Sequence, residues 1–192
     1  MIGEALRAVR MTVWFAIVTG LVYSLAITGA GQLIFPSQAN GSLVTGNGQV
    51  VGSQLIGQQI AADRYFHGRL SATATPYAAD NSAGSNLAPN NKALVDRVAS
   101  SARSYRDSNG LDPVAPVPVD AVTADFSGFD PDITEANALL QVDRVAKARG
   151  LDAGKVRALV ERYVHGRILW IFGEPYVNVL EVNLALDRGE AS

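Results

Sequence analysis

No cysteine occurs in the 192 residues. Disulfides, thiolate nucleophiles and cysteine metal sites are therefore excluded, so a domain exported to an oxidising space would have to hold together by its core alone. About 150 residues can bury enough surface for that. Histidine occurs only at His67 and His165, neither in an H-E-x-x-H context. The G-x-x-x-x-G-K-[ST] phosphate loop and the G-x-S-x-G nucleophile elbow are absent as well. The acid-rich segment Asp125 to Asp132 lacks the alternating acids, central Gly and terminal Glu of a calcium loop, so no metal site is expected. No strong net charge is present: the formal charge is −2 and the isoelectric point about 5.6. That argues against nucleic acid as a partner, because phosphate binding needs a basic surface.

Charge is also missing locally. From Met11 to Ala62 there is no Asp, Glu, Lys or Arg, although the chain as a whole is 18% charged and 48% hydrophobic. The run Met11 to Phe35, MTVWFAIVTGLVYSLAITGAGQLIF, would make a helix of about 37 Å, enough to cross a hydrocarbon core of about 30 Å with some tilt. Arg7 and Arg10 precede it and no basic residue follows until Arg64, so the positive-inside rule places residues 1–10 in the cytoplasm and residues 36–192 outside. Trp14 falls near the inner interface, and Pro36 stops the helix. A cleaved signal peptide, with Thr28-Gly29-Ala30 as its site, is the competing reading, against which the apolar run is long. Within the span, Ala16, Gly20, Ser24 and Thr28 recur every four residues, a small face that lets another helix approach closely. No ionisable residue lies in the span, so this helix is not expected to carry an ion itself.

After the anchor, Leu43-Val44-Thr45, Gly46-Asn47-Gly48 and Gln49-Val50-Val51 read as a β-hairpin on an Asn-Gly turn. Ser71 to Asn91 has no periodicity and is long for a structureless loop, a length that often marks a contact surface. Three helices are expected. Lys92 to Asp107 carries Leu94, Val98, Ala102 and Tyr105 on one side. Pro131 to Arg149 would be capped by Asp130 and ended by Gly150. Ala153 to His165 would be capped by Asp152. Tyr176 to Leu186 alternates and predicts a strand with a register break at Leu180-Glu181. The order implies a compact α+β domain beyond one transmembrane helix.

Two features could carry chemistry. Asn81-Ser82-Ala83-Gly84-Ser85-Asn86 can in principle cradle phosphate with backbone N–H groups, against the plain reading of a solvated turn. His67 and His165 offer general-base chemistry if partners converge on them, against surface or structural roles.

The residues themselves go further. QLIFPSQANGSLV (Gln32 to Val44), VGSQLIGQ (Val51 to Gln58), YFHGRLSA (Tyr65 to Ala72), GSNLAP (Gly84 to Pro89), VPVDAVTADFSGFDPDIT (Val117 to Thr134), QVDRVAKARG (Gln141 to Gly150) and GEPYVNVLEVNLALD (Gly173 to Asp187) follow in collinear order. Together they resemble the C subunit of the bacterial Kdp potassium-transporting ATPase over almost the whole chain. The resemblance implies a single-pass subunit of the inner membrane with a periplasmic domain. Its implied partners are a potassium-binding channel-like subunit, a P-type ATPase subunit and a small single-helix subunit. It implies a non-catalytic helper, proposed as a catalytic chaperone that raises the ATP affinity of the ATPase subunit. It also implies a nucleotide loop at Ser82, Gly84, Ser85 and Asn86, so ATP is the one cofactor to test. Ala83 stands where the family usually has glycine. The orientation expected from Arg7 and Arg10 puts that loop outside, away from cytoplasmic ATP. The remaining alternative is a membrane-tethered periplasmic enzyme using His67 or His165.

Overall fold

A computed structural model of the chain describes residues 2–46 and 48–191. Contacts group the chain into two units, divided between Leu43 and Val44.

The first unit is one long helix followed by a turn. Helix α1 (Ile2–Ile17) runs through a π-helical stretch (Val18–Val22) into α2 (Tyr23–Ile34), and none of its residues is buried. This is the only helix among the described residues long and apolar enough to cross a membrane. It begins at Ile2, with Glu4 and Arg7 paired at 2.9 Å on its first turns. Its end is dictated by Pro36, whose ring excludes the preceding residue from the helical region: Phe35 sits at φ −132°, ψ 58°. Pro36 then opens the one-turn helix α3 (Pro36–Ala39), and Asn40 ties the corner together by donating to the Pro36 carbonyl and to Gln32 Oε1.

The second unit has the expected mixed architecture. Strands β1 (Leu43–Gly46) and β2 (Gln49–Ser53) form the expected hairpin; Asn47, at its turn, lies outside the described residues. Among the described residues, 71–91 hold no helix or strand. Helix α4 (Lys92–Asn109) starts on Asn91, whose side chain accepts from the Ala93 amide. Leu94, Val98, Ala102 and Tyr105 share its half-buried face. A short helix α5 (Val119–Val122) follows.

Three expectations are corrected beyond this point. Asp130 does not cap a helix. Residues Asp132–Thr134 form strand β3, and α6 (Glu135–Arg149) starts four residues later than expected, capped by Thr134, whose Oγ1 accepts from the Asn137 amide. Proline at 131 is equally at home before a strand, and β3 gains a ladder that a helix turn there would forfeit. Helix α7 (Ala153–Arg162) is capped by Asp152 as expected but ends before Val164, which with His165 forms β4. Finally, the strand expected over 176–186 stops at Asn178. Strand β5 (Tyr176–Asn178) gives way to helix α8 (Val179–Asp187), with Asn178 Oδ1 accepting from the Glu181 amide. Helix α8 buries Val179, Leu180, Val182, Asn183, Ala185 and Leu186, so apolar residues occupy most of its circumference and alternation ceases to mark a strand.

Strand β5 is the centre of a three-stranded antiparallel sheet in the order β3-β5-β4, with Ile133 opposite Val177 and Val164 also paired to Val177. The core lies between this sheet and helices α6, α7 and α8. Ile133, Val142, Val145, Val156, Val160, Val177 and Val182 are among its fully buried members, and Phe66 is buried with them. Burial of this set is the main favourable contribution to the fold, each side chain giving about 1.5–3 kcal/mol.

Candidate functional site

The small-residue face comes first because it lies on the anchor. In a regular α-helix, residues four apart drift by about 40° per step, which would spread Ala16, Gly20, Ser24 and Thr28 over about 120°. The π-helical stretch Val18–Val22 closes wider i→i+5 turns in the middle of that run. Its wider turns reduce that drift and narrow the arc over which the four residues spread. Thr19 donates to the Phe15 carbonyl at 2.7 Å and Ser24 to the Thr19 carbonyl at 3.4 Å, side-chain bonds that support the widened turn. All four positions are exposed, and a Cβ on Gly20 would meet nothing within 4 Å.

The Ser82–Asn86 segment packs on the loop that precedes β3. Ser82 Oγ donates to the Ser127 carbonyl at 2.9 Å, and a Cβ on Gly84 would come within 3.0 Å of the Phe126 ring and 3.2 Å of its carbonyl. Opposite it, Gly128 has φ +83°, and a Cβ there would collide with Thr73 and stand 3.0 Å from the Ala83 carbonyl. Two glycines thus face each other's loops, which is why this contact needs both. Asp125 is buried beneath and accepts from the amides of Gly128 and Asp130 and from the Ser127 hydroxyl. Arg69 and Asp130 pair at 2.9 Å alongside, and Tyr77 Oη donates to the Arg69 carbonyl. Burial, then Asp125 and Asp130, push the Tyr77 phenol up to about 12, so it stays a donor. Ser82 and Gly84 thus hold the segment on the turn 125–130, while Ser85 is half-buried and Asn86 exposed. The charged groups beneath are already answered within the domain, Asp130 by Arg69 and Asp125 by three hydrogen bonds.

The two histidines lie in different settings. The His67 ring sits 3.1 Å from the Ala62 carbonyl and 3.4 Å from an Arg144 nitrogen. Burial and the Arg144 charge lower its pKa, which keeps it neutral. His165 stacks on Tyr176 and lies 2.9 Å from Glu181. Among the described residues no group of three or more His, Asp and Glu is placed to hold a metal.

Sequence patterns did not point to three features. One is a buried polar network. Arg144 donates to the side chains of Asn109 and Gln141 and to the carbonyls of Asp63 and Tyr65; Gln141 and Asn137 continue it to Tyr105 and Asp120. A second is the exposed apolar run Ile168 to Phe172, whose composition between Gly166 and Gly173 was the available signal. The third is Asp132, which accepts from Asn178 at 2.8 Å at the start of β3.

Burial raises the Asp132 carboxyl to about 6, with Asp130 adding to the rise and the Asn178 hydrogen bond opposing it. An ordinary unfolded-state value is about 3.9. The folded state therefore holds this proton more tightly than the unfolded chain, and stability should fall as pH rises from about 4 to about 6 and level off above. Asp132→Asn keeps the acceptor for Asn178 and removes the titration. Urea unfolding of the full chain in detergent should show the variant gaining stability over the parent above pH ~6, with a flatter profile below. An unchanged profile would mean that another group governs it.

One apolar helix with no buried residue, joined to a packed α+β domain, fits a single-pass membrane protein. Residues 5–188 match the family described as "KdpC: K+-transporting ATPase, c chain". The chain belongs to this family: it is a subunit of a potassium pump and not itself catalytic. It is 49% identical over 202 residues to the "Potassium-transporting ATPase KdpC subunit" of Rhodopseudomonas palustris, covering 99% of this chain and 100% of that one. The proteins of the same description from Burkholderia orbicola and Bradyrhizobium diazoefficiens are 55% and 47% identical, the first over 91% of each chain and the second over the full length of both.

Proposed function

We propose that this chain is the accessory subunit that holds a potassium-transporting ATPase together from within the membrane and covers it from outside. It packs the aligned face Ala16, Gly20, Ser24 and Thr28 against a transmembrane helix of a potassium-binding, channel-like subunit or of the P-type ATPase subunit. A small single-helix subunit completes the assembly, and lipid surrounds the rest of the anchor. The single observation that carries this reading is the π-helical stretch, which lines up four small residues on a helix that covers none of them with its own chain.

Arg7 and Arg10 favour a cytoplasmic N-terminus, with the anchor in the bacterial inner membrane and the α+β domain on the extracytoplasmic side. Any rise in the ATP affinity of the pump, the catalytic-chaperone role, then acts through the subunits it touches. Direct nucleotide contact at Ser82 to Asn86 is the weaker reading, because the loop is packed over Asp125 and faces away from the cytoplasm.

The experiment is photolabelling of the assembled complex with an azido-ATP analogue, followed by potassium-stimulated ATP hydrolysis with and without this chain. The label is expected on the ATPase subunit alone, with hydrolysis lost when the chain is left out. Labelling of residues 82–86 would overturn the extracytoplasmic placement, and full hydrolysis without the chain would overturn the accessory role.

A further inference from the structure

Strands β4 and β5 are joined by a loop whose tip is Ile168-Leu169-Trp170-Ile171-Phe172. All five side chains project into solvent: Trp170 is 90% exposed and the others 62–72%. They are five large apolar residues in succession, a cluster of the kind that marks an interaction site rather than scattered surface apolar residues. The tip is built, not frayed. Ile168 and Phe172 exchange both backbone hydrogen bonds, at 2.9 and 3.0 Å, and the Ile171 amide donates to the Ile168 carbonyl across the turn. Leu169 and Trp170, the two central residues, have φ of +52° and +61°. Those are the angles of a tight mirror-image turn, where Asn-Gly would be the unstrained choice. Two bulky side chains held in left-handed conformation at the tip of a hairpin is a costly way to reverse a chain. It does present Leu169 and Trp170 outermost.

We propose that this tip inserts into the lipid surface from which the anchor helix emerges, giving the domain a second attachment to the membrane. Four observations favour lipid as the occupant. The first is composition: two Ile, a Leu, a Phe and a Trp, with tryptophan the residue most at home at a membrane interface. The second is the backbone. The amides of Ile168, Trp170, Ile171 and Phe172 all donate within the loop, which lowers the cost of taking this part of the tip out of water. The third is charge. Arg167 and Glu174, at the base of the loop, pair with each other at 2.8 and 3.0 Å, leaving no unmatched charge to be answered by a protein surface. The fourth is the tether. The connection from Phe35 to Ser42 reaches at most about 30 Å, and less with α3 formed. A domain of this length has a radius of gyration of about 15 Å, so its surface is held at high effective concentration beside the bilayer.

The inference rests on the reading of residues 11–35 as a membrane anchor, and the test separates the two. The full chain is reconstituted in phosphatidylcholine–phosphatidylglycerol vesicles carrying bromine on the acyl chains. Trp14→Phe leaves Trp170 as the sole tryptophan, and Trp170→Phe leaves Trp14. Blue-shifted Trp170 emission, with most of it lost to bromines placed near the headgroups, is the expected result. Solvent-like, unquenched Trp170 emission with Trp14 still quenched would overturn the insertion and leave the anchor standing; both unquenched would overturn the anchor as well. A photocrosslinking residue in place of Trp170, used in cells carrying the whole pump, gives the independent check. Crosslinks to lipid support the inference, and a crosslink to another polypeptide overturns it in favour of a protein pocket.

Discussion

Arg144→Ala should be among the most destabilising single substitutions in the domain after the anchor, with a loss of about 3–5 kcal/mol. Arg144 is 8% exposed and its three nitrogens donate to Asn109 Oδ1, Gln141 Oε1 and the carbonyls of Asp63 and Tyr65, at 2.7–3.0 Å. Those acceptors come from α4, α6 and the irregular segment before Phe66, so one guanidinium joins three parts of the chain. Burial lowers its pKa, but a guanidinium remains charged at any ordinary pH. Truncation leaves four acceptors, partly or wholly cut off from water, without their donor. Each such loss costs about 1–3 kcal/mol, and the effects overlap, so a total of about 3–5 kcal/mol is expected. Against a stability of about 5–15 kcal/mol, that is enough to shift the denaturation midpoint far toward zero denaturant. Arg144→Lys, which keeps the charge but loses the fork, should fall between the two. Denaturant titration of the full chain in detergent reads the result. A variant within about 1 kcal/mol of the parent would show that water substitutes for the guanidinium and that the network is dispensable.

The second large effect is on assembly. Gly20→Leu together with Ser24→Leu puts two branched side chains on the aligned face of the anchor. Among the described residues, nothing beyond Gly20's chain neighbours and its own helix backbone lies within 4 Å of a Cβ there, and Ser24→Leu gives up only the long 3.4 Å bond to the Thr19 carbonyl, so the helix is expected to form. A partner helix packed closely on that face cannot. Losing close packing on that face is worth roughly 1–2 kcal/mol, and steric exclusion adds to it, so recovery of the complex should drop at least about tenfold. Val18→Leu with Val22→Leu changes the far side of the same π-helical stretch and should leave assembly as it was. If both pairs of substitutions weaken assembly equally, the face is not specific.

The contrast between these two predictions reflects what could be read along the chain. The long apolar helix, the β1–β2 hairpin, the start of α4, the end of α6 and the cap of α7 were legible because each depends on residues within a few positions of one another. Asp152 capping α7 and Gly150 ending α6 are such local signals. Thr134 was overlooked as a cap because Asp130-Pro131 offers the same signal more strongly, and only pairing of β3 with Tyr176–Asn178, more than forty residues on, decides between them. The helix α8 was legible in one respect: Asn178 with Glu181 three positions later has capping-box spacing. The alternation of Val177, Val179, Val182, Leu184 and Leu186 outweighed it. The contact of Ser82 with Ser127 and the fork of Arg144 join segments 45 and about 80 residues apart. Nothing local encodes them. The alignment of the small face is a different case. Spacing identified its residues, but only the π-helical turn, a backbone choice with no clear sequence mark, brings them into line.

The central claim, that the chain works as an assembled subunit and not alone, is tested most directly by purifying the tagged full chain from membranes in mild detergent and identifying what comes with it. A P-type ATPase subunit and a potassium-binding membrane subunit in constant ratio to this chain, both lost in the Gly20→Leu/Ser24→Leu variant, are the result expected. Recovery of the chain by itself, or a complex that withstands the two leucines, would contradict the account.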